Sequence, residues 1–278
     1  MADGEPRYVH GTDPQEQERL SRMNAFINQP ALAKLNLQGH EKVLDLGCGL
    51  AQLSAAMATV LQAAGSVLGI EQSREQLQEA RQRLATDRPR LQNLELRQGN
   101  ALQPPLEAGE WQQFDLVHAR FLLEHLTDPM AAVEIMWEAA KPGGRLVLQD
   151  DDHQVLRMWP DVPKVMDLWQ RYVALYPKRG MDPFVGRRLV QLLHQAGAEA
   201  LHNDFLFFGA CSGDPIFPDV VNNFAGVLVS AKQDLLDQGV SASFFEQTIS
   251  ELKQWGTRPD AALWYPICWA EGRKPIEP

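Results

Sequence analysis

The residues best placed to do chemistry are Asp45, Gly47 and Gly49, in the run Val-Leu-Asp-Leu-Gly-Cys-Gly. This run is a short apolar strand that ends at an acid and enters a glycine turn, and a helix-like segment, residues 52–62, follows directly. A strand, a glycine turn and a helix form the floor of a nucleotide site in doubly wound sheets. The two glycines permit positive φ and let a ligand approach the main chain closely.

The turn differs from a dinucleotide-binding turn in two ways. A dinucleotide fingerprint has a third glycine for close packing of helix against strand, and Gln52 stands in that position. The carboxylate of Asp45 would repel a pyrophosphate and would attract a cationic nucleoside that carries no phosphate. The motif therefore favours a cationic nucleoside over NAD. A generic strand–turn–helix in an unrelated α/β protein is the alternative interpretation.

Polar residues also stand at the ends of the later predicted strands, where open α/β sheets bind their ligands. Glu71 ends the second strand about twenty residues after the glycines, the distance at which an acid accepts both ribose hydroxyls. Asn100 follows the third strand and can accept from an adenine amine. The fourth strand ends at His118 and Arg120, and the fifth ends in the acidic run 150–152.

The ordered set resembles the class I S-adenosylmethionine-dependent methyltransferases. Three further segments carry the resemblance, and they are Phe114–His118, Leu122–Leu126 and Ala140–Gly144, the last corresponding to the Leu-Lys-Pro-Gly-Gly of that family. Many relatives have Asp where this chain has Asn100. More loosely, the segment from Tyr8 to Leu20 and the segment from Trp264 to Trp269 resemble a bacterial small-molecule branch of the family.

The resemblance implies S-adenosylmethionine as the cofactor and methyl transfer to a small acceptor as the activity. The residues that it implies for cofactor binding are Asp45, Gly47, Cys48, Gly49, Glu71, Gln72, Asn100, Ala101 and His118. Methyl transfer from an activated donor depends mainly on alignment in a dry pocket. A general base is needed only where the acceptor must lose a proton, so the family has no universal catalytic residue.

Five residues are candidates for the acceptor side, namely Tyr8, His118, Arg120, Asp151 and Asp152. Arg120 could hold a substrate carboxylate, or it could form an ion pair with Glu124 or with the acidic run. The acidic run has three interpretations: a metal site, a pocket for a cationic amine, or acids satisfied by Arg120, Arg157 and backbone N–H groups. We expect no metal, because the downstream acid–Asn pair of metal-dependent relatives is missing.

Other residues could have either a structural role or a role in the site. His125 is predicted to be a packed histidine rather than a general base. Trp159, Trp264 and Tyr265 could line a substrate pocket, although tryptophans at such spacing more often pack in a core. Residues 222–224 lie early in a predicted helix and could face either the pocket or solvent.

The elements that must position these residues alternate along the chain. Strands are predicted at 42–46, 66–71, 94–98, 114–118, 145–149, 200–208 and 261–270. Helices are predicted at 52–62, 73–85, 129–140, 159–176, 186–195, 218–237 and 243–255, with a further one after Thr12. Such alternation predicts an α/β fold, a doubly wound, mostly parallel seven-stranded sheet that is Rossmann-like and carries an inserted helical lid. We expect one domain, with an N-terminal arm (1–40), a cofactor-binding core (41–152), and lid helices with the last two strands (153–278).

Composition narrows the class of partner. The chain has 278 residues and a formal net charge of −10, which disfavours nucleic acid and anionic membranes as partners. Its three cysteines fit neither a disulfide framework nor a zinc site. No apolar run has membrane-spanning length and no leader pattern is seen, so we expect a cytoplasmic protein. Two rival functions are an inactive S-adenosylmethionine-binding module and an NAD-dependent oxidoreductase, and the oligomeric state is not indicated.

Overall fold

The computed structural model describes residues 14–61, 63–87 and 91–276. The strands are β1 (Lys42–Leu46), β2 (Ser66–Glu71), β3 (Leu94–Gln98), β4 (Phe114–Arg120), β5 (Ala140–Asp150), β6 (Arg157–Trp159), β7 (Glu199–Cys211) and β8 (Ala262–Arg273). The α-helices are α1 (Pro14–Leu35), α2 (Gln52–Leu61), α3 (Arg74–Asp87), α4 (Pro129–Ala139), α5 (Pro163–Val173), α6 (Leu175–Lys178), α7 (Leu189–Gln195), α8 (Phe217–Ser230), α9 (Lys232–Asp237) and α10 (Ala242–Trp255).

The chain divides into two compact units. Of the residues that the structure describes, the core unit comprises those within 24–152, 184–206 and 267–276. The helical unit comprises residues 14–23, 153–183 and 207–266. Helix α1 and strands β7 and β8 each contribute residues to both units.

The core unit contains the parallel sheet. Its strand order is β3-β2-β1-β4-β5-β8, in which the first five strands are parallel and β8 runs antiparallel to β5. The interior residues of β1 and β2 are buried on both faces of the sheet, and all of them are apolar except Asp45. The predicted α/β class and the mostly parallel, doubly wound sheet are confirmed.

Apolar residues from the sheet and from the helices that cover it form the core of this unit. Leu44, Leu46 and Ile70 come from β1 and β2, Val117 and Leu148 from β4 and β5, and Val133 and Leu192 belong to α4 and α7. Helix α4 begins at Pro129, and the carboxylate of Asp128 caps it by accepting from the Ala131 amide at 3.1 Å. The packing fixes the carboxyl ends of β1–β5, where the predicted site residues lie.

The helical unit contains the helices predicted as a lid, together with the short strand β6, which pairs antiparallel with residues 262–264 of β8. This strand is additional to the seven that were predicted. The helix expected over 159–176 begins instead at Pro163, because Pro160 and Pro163 have no backbone N–H to donate inside a helix. The helix expected over 218–237 is two helices, α8 and α9, that meet at Ala231.

A further difference concerns residues 141–144, which lie between the helix predicted at 129–140 and the strand predicted at 145–149. Helix α4 does end there, at Ala139, but the following residues already belong to β5. Gly143 takes a φ of +78° and its amide donates to the carbonyl of Lys274. The register between β4 and β5 shifts between Phe114 and Leu116, so the irregular segment is accommodated within the strand pairing. Among the described residues, no helix is both long enough and apolar enough to cross a membrane.

Candidate active site

The glycine turn after β1 is fixed to the neighbouring strand β2. Gly47 and Gly49 adopt φ values of +70° and +53°. The amides of Gly47 and Cys48 both donate to the carbonyl of Ile70, at 2.8 and 3.0 Å, and the amide of Gly49 donates to Glu71 Oε2 at 2.9 Å. Three successive N–H groups are thus used within the protein, whereas a phosphate-binding turn directs such groups at its ligand. The turn supports a phosphate-free nucleoside better than a dinucleotide.

Glu71 ends β2 in a half-buried position. Its Oε1 accepts from the Ser73 amide at 2.8 Å and its Oε2 accepts from Gly49. Because a carboxylate offers about four acceptor positions, two remain for hydroxyl groups. Burial raises the pKa of Glu71 and the charge of Asp45 adds to this, while the backbone hydrogen bonds oppose it. The side chain is therefore oriented and has the acceptor capacity that a ribose diol requires.

Cys48 lies within the turn. A Cβ atom at Gly69 would lie 3.0 Å from Cys48 Sγ, so the thiol packs over this glycine of β2. Burial, together with the charges of Asp45 and Glu71, raises the pKa of the thiol well above its usual value. The thiol therefore stays protonated and is not a nucleophile.

The residues predicted at the adenine end lie after β3. Asn100 is exposed, and its Oδ1 accepts from the Leu102 amide at 2.8 Å in a local turn. Ala101 is buried beside it. Gln72, which follows Glu71, has an exposed side chain, and its carbonyl accepts weakly from Gln98 at 3.4 Å. These residues lie beyond the carboxyl ends of β2 and β3, one strand and two strands away from the glycine turn.

A buried polar chain joins β1, β4 and β5. Ser54 Oγ donates to Asp45 Oδ2 at 2.5 Å, and His118 Nδ1 lies 2.8 Å from Asp45 Oδ1. His118 Nε2 lies 2.7 Å from the side-chain amide nitrogen of Gln149. Because that amide nitrogen only donates, Nε2 accepts and Nδ1 carries the proton that is donated to Asp45. His118 is only 1% exposed and both of its nitrogens are engaged, so neither nitrogen of this acceptor-side candidate is available as a general base.

Arg120 ends β4 under helix α1. Its Nη2 donates to the side-chain oxygens of Asn24 and Asn28, at 3.0 and 2.7 Å. Among the described residues it forms none of the ion pairs that were considered with Glu124 or the acidic run. Its Nη1 is buried without a hydrogen-bond partner in the described part of the chain. Burial lowers the pKa of Arg120 to about 10, and the charge of Asp45 opposes this, so the side chain is cationic at neutral pH.

Two acids after β5 have backbone amides or an arginine as partners. Asp150 is 1% exposed and accepts from the amides of Leu122 and Leu123, at 3.2 and 2.8 Å, and so fixes the turn that follows β4. Burial, and the nearby charge of Glu124, raise the pKa of Asp150 well above its usual value. Asp152 accepts two hydrogen bonds from Arg187, at 2.8 and 2.6 Å. For these two acids the structure supports the interpretation with arginine and backbone partners, although the arginine is Arg187 rather than Arg120 or Arg157.

Asp151 is half-buried, and its carbonyl accepts from the Gly186 amide at 2.9 Å. A Cβ atom at Gly186 would come within 2.7 Å of that carbonyl oxygen, so a glycine is needed there. His125 lies in the turn after β4, where its Nε2 is 3.5 Å from Glu124 Oε1. Tyr8 lies outside the described residues.

The aromatic candidates of the helical unit differ in their exposure to solvent. Trp159 and Trp264 are exposed, at 61% and 43%. Tyr265 is buried, and its hydroxyl lies 2.9 Å from His153 Nδ1. Phe224 packs against Tyr265, with ring centroids 5.3 Å apart. Of the polar pair before Phe224, Asn222 is exposed, whereas Asn223 is buried and accepts from Arg19 at 2.5 Å.

Sequence reasoning missed three residues of the core unit: Asn24 and Asn28, which hold Arg120, and Gln149, which bonds His118. The two asparagines lie four residues apart in a predicted helix, which places them on one helix face. That spacing was the available signal, although it does not say which strand the face covers.

Comparison with known proteins identifies the family. A family model described as a methyltransferase domain matches residues 37–197, more than half of the chain. The chain belongs to this methyltransferase family. A demethylmenaquinone methyltransferase of Lactiplantibacillus plantarum is 32% identical over 177 residues, which are 60% of this chain and 70% of that protein.

Solved structures share the fold. An S-adenosylmethionine-dependent methyltransferase of Aquifex aeolicus aligns with a TM-score of 0.51 at 19% identity, covering 70% of this chain and 92% of that one. A phosphoethanolamine N-methyltransferase 2 of Haemonchus contortus, in complex with phosphomonomethylethanolamine and S-adenosylhomocysteine, aligns with a TM-score of 0.58 at 15% identity, over 97% and 60% of the two chains. The family match and the names of the relatives identify the protein as a methyltransferase, as the sequence motifs predicted, and S-adenosylmethionine-dependent methyltransferases are among the solved structures that share its fold.

Proposed function

We propose that this methyltransferase acts on a small-molecule acceptor and binds its cofactor along the carboxyl ends of β3, β2 and β1. In this arrangement Asn100 and Ala101 contact the adenine, and Glu71 accepts from both ribose hydroxyls. Gly47 and Gly49 let the cofactor approach the backbone. The observation that carries the proposal is the geometry of Glu71, because two backbone amides orient its carboxylate and half of its acceptor capacity remains.

The bound cofactor supplies a methyl group already activated on a sulfonium, so the residues of this chain mainly bind, orient and exclude water. Asp45 fits this role, since its buried carboxylate places negative charge beside the glycine turn while Ser54 and His118 hold it in place. The protonated Cys48 and the fully engaged His118 supply no base. We therefore propose that alignment, rather than a base within this network, accelerates the transfer.

A small acceptor is supported by the net charge of −10, which opposes binding to nucleic acid. The relative from L. plantarum is named a demethylmenaquinone methyltransferase, so demethylmenaquinone is the first acceptor to test.

The proposed function is tested in two steps. Calorimetric titration should show binding of S-adenosylmethionine and no binding of NAD. Incubation with methyl-labelled S-adenosylmethionine and an acceptor panel that begins with demethylmenaquinone should then transfer label to one class of acceptor. Binding of NAD in preference to S-adenosylmethionine would contradict the cofactor assignment, and label transfer only to nucleic acid would contradict the small-molecule acceptor.

A further inference from the structure

Three buried polar atoms without partners lie in one row across the sheet. Arg120 of β4 pairs in register with Gln149 of β5, and Gln149 pairs with Trp269 of β8. Residues directly opposite each other on neighbouring strands project from the same face. Arg120 Nη1, Gln149 Oε1 and Trp269 Nε1 are each buried with no hydrogen-bond partner among the described residues. Because buried polar atoms are nearly always paired, three in a row indicate a ligand rather than chance.

The row begins beside the glycine turn. Leu46 pairs in register with Ala119, so the residues that follow them, Gly47 and Arg120, are neighbours at the ends of β1 and β4. If adenine lies at β3 and ribose at β2, the remainder of the cofactor runs past β1 towards β4. Glu71 and Arg120 are two strand spacings apart, about 10 Å. The part of the cofactor that must cover this distance is its amino-acid chain.

The chemistry of the row matches an α-amino acid. The guanidinium of Arg120 and the indole N–H of Trp269 are donors, as a carboxylate requires, and Gln149 Oε1 is an acceptor, as an ammonium requires. Asn24 and Asn28 hold the other guanidinium nitrogen and leave Nη1 for a ligand. The hydrogen bond of Gln149 to His118 uses the amide nitrogen and so leaves the oxygen. A carboxylate would also give Arg120 the anionic partner that the described side chains do not provide.

We propose that the polar row of Arg120, Gln149 and Trp269 binds the amino-acid end of S-adenosylmethionine, with Arg120 and Trp269 donating to its carboxylate and Gln149 accepting from its ammonium. The inference rests on the proposed function, since it takes the adenosyl group to lie over β3 and β2. It assigns to Arg120 a cofactor carboxylate in place of the substrate carboxylate or ion pair considered from the sequence.

The test compares two ligands that differ only at this end. S-adenosylhomocysteine carries the amino-acid chain, whereas 5′-methylthioadenosine has a methyl group in its place. Calorimetric titration of the full chain should show tighter binding of S-adenosylhomocysteine. In Arg120→Met we expect its binding to weaken by about 10- to 100-fold, the effect of losing hydrogen bonds to a charged group. The affinity for 5′-methylthioadenosine should change by less than about twofold, so the preference between the two ligands should nearly disappear.

Arg145→Gln is the matched control. Arg145 lies on the same face of β5, donates to the Leu35 carbonyl at the end of α1 and pairs with Glu271, but it is four residues from the row. This variant should keep the preference for S-adenosylhomocysteine. If Arg120→Met does not fold, as circular dichroism would show, Trp269→Phe decides. It keeps an aromatic ring and removes the N–H donor together with part of the ring volume. Lost packing would affect both ligands, whereas we expect threefold or greater weakening for S-adenosylhomocysteine alone, consistent with loss of about one hydrogen bond.

Two results would overturn the inference. One is equal weakening of both ligands in the folded variants, which would indicate a structural role. The other is an unchanged preference in Arg120→Met, or in Trp269→Phe where that variant decides. Failure of the wild-type protein to bind either ligand would refute the proposed function itself and the inference with it, and is thus distinguishable from both results.

Discussion

The amide of Gly49 donates to the carboxylate of Glu71 at 2.9 Å, which ties the turn after β1 to the acid that ends β2. One residue thus fixes the glycine turn and offers its remaining acceptor positions to a ligand. Loss of the Glu71 side chain should therefore weaken both the stability of the turn and the binding of the cofactor. Loss of a neighbouring residue should affect one of these two quantities more than the other.

Asp45→Ala should reduce the free energy of unfolding by about 1–3 kcal/mol, because it leaves the Nδ1–H of His118 and the hydroxyl of Ser54 unpaired in a buried site. The variant should still fold and should bind S-adenosylhomocysteine more weakly. Urea denaturation and calorimetry measure the two effects. Ser54→Ala, which removes a single hydrogen bond, is the control and should reduce the free energy of unfolding by less than Asp45→Ala does. Equal stability of Asp45→Ala and the wild type would contradict the buried network.

Gly47→Ala should destabilise the protein by about 1–2 kcal/mol, because an L-residue at a φ of +70° is strained. The new Cβ would also lie 3.1 Å from Cδ1 of Leu122. A double-mutant cycle with Leu122→Ala separates the two causes. We expect the double variant to recover only the steric part, leaving the backbone strain. Full recovery would show that φ at this turn carries no cost.

Asp150→Ala should lower the free energy of unfolding by about 1–3 kcal/mol, because the amides of Leu122 and Leu123 lose their acceptor. Asp150→Asn keeps an acceptor oxygen and removes a buried charge, so it should cost less. The difference in the free energy of unfolding between the wild type and Asp150→Asn should also depend on pH. Since the folded state raises the pKa of Asp150, the stability that this residue contributes is greatest at low pH and is lost as the pH rises through the raised pKa. Urea denaturation from pH 5 to pH 8 would test this, and a wild-type advantage over Asp150→Asn that grows with pH would contradict it.

Binding of S-adenosylhomocysteine should weaken on acidification. In the proposed site the carboxylate form of Glu71 accepts from the ribose. Its pKa in the free protein is raised, so affinity should begin to fall at a higher pH than for an ordinary glutamate. Calorimetry between pH 7.5 and pH 5 measures this. In Glu71→Gln the dependence should be much reduced. An identical pH profile in the two proteins would show that Glu71 does not titrate on binding.

Much of the core unit could be predicted from the sequence because β1 and β2 are buried on both faces and appear as short segments whose interior residues, Asp45 apart, are apolar. The glycines and Glu71 follow these strands directly, so their placement at one edge of the sheet needed only the strand assignments. The partners of Arg120 could not be predicted, since Asn24 and Asn28 are 96 and 92 residues away in sequence.

The hydrogen bond between His118 and Gln149 was likewise not predictable, because it depends on which strands are neighbours in the sheet. The start of the helix at Pro163 was predicted four residues too early, for a reason local to the sequence. Helical spacing of the apolar residues extended the prediction back through two prolines that a helix interior does not accept.

The proposed cofactor site depends most on Glu71, which we expect to hold the ribose of S-adenosylmethionine. The most direct test is the dissociation constant of S-adenosylhomocysteine for Glu71→Ala, with Glu75→Ala, an exposed glutamate one turn further on, as the matched control. We predict a loss of about 1–3 kcal/mol, or roughly 5- to 150-fold, for Glu71→Ala and no change for the control. A folded Glu71→Ala protein that binds S-adenosylhomocysteine as tightly as the wild type would contradict the account.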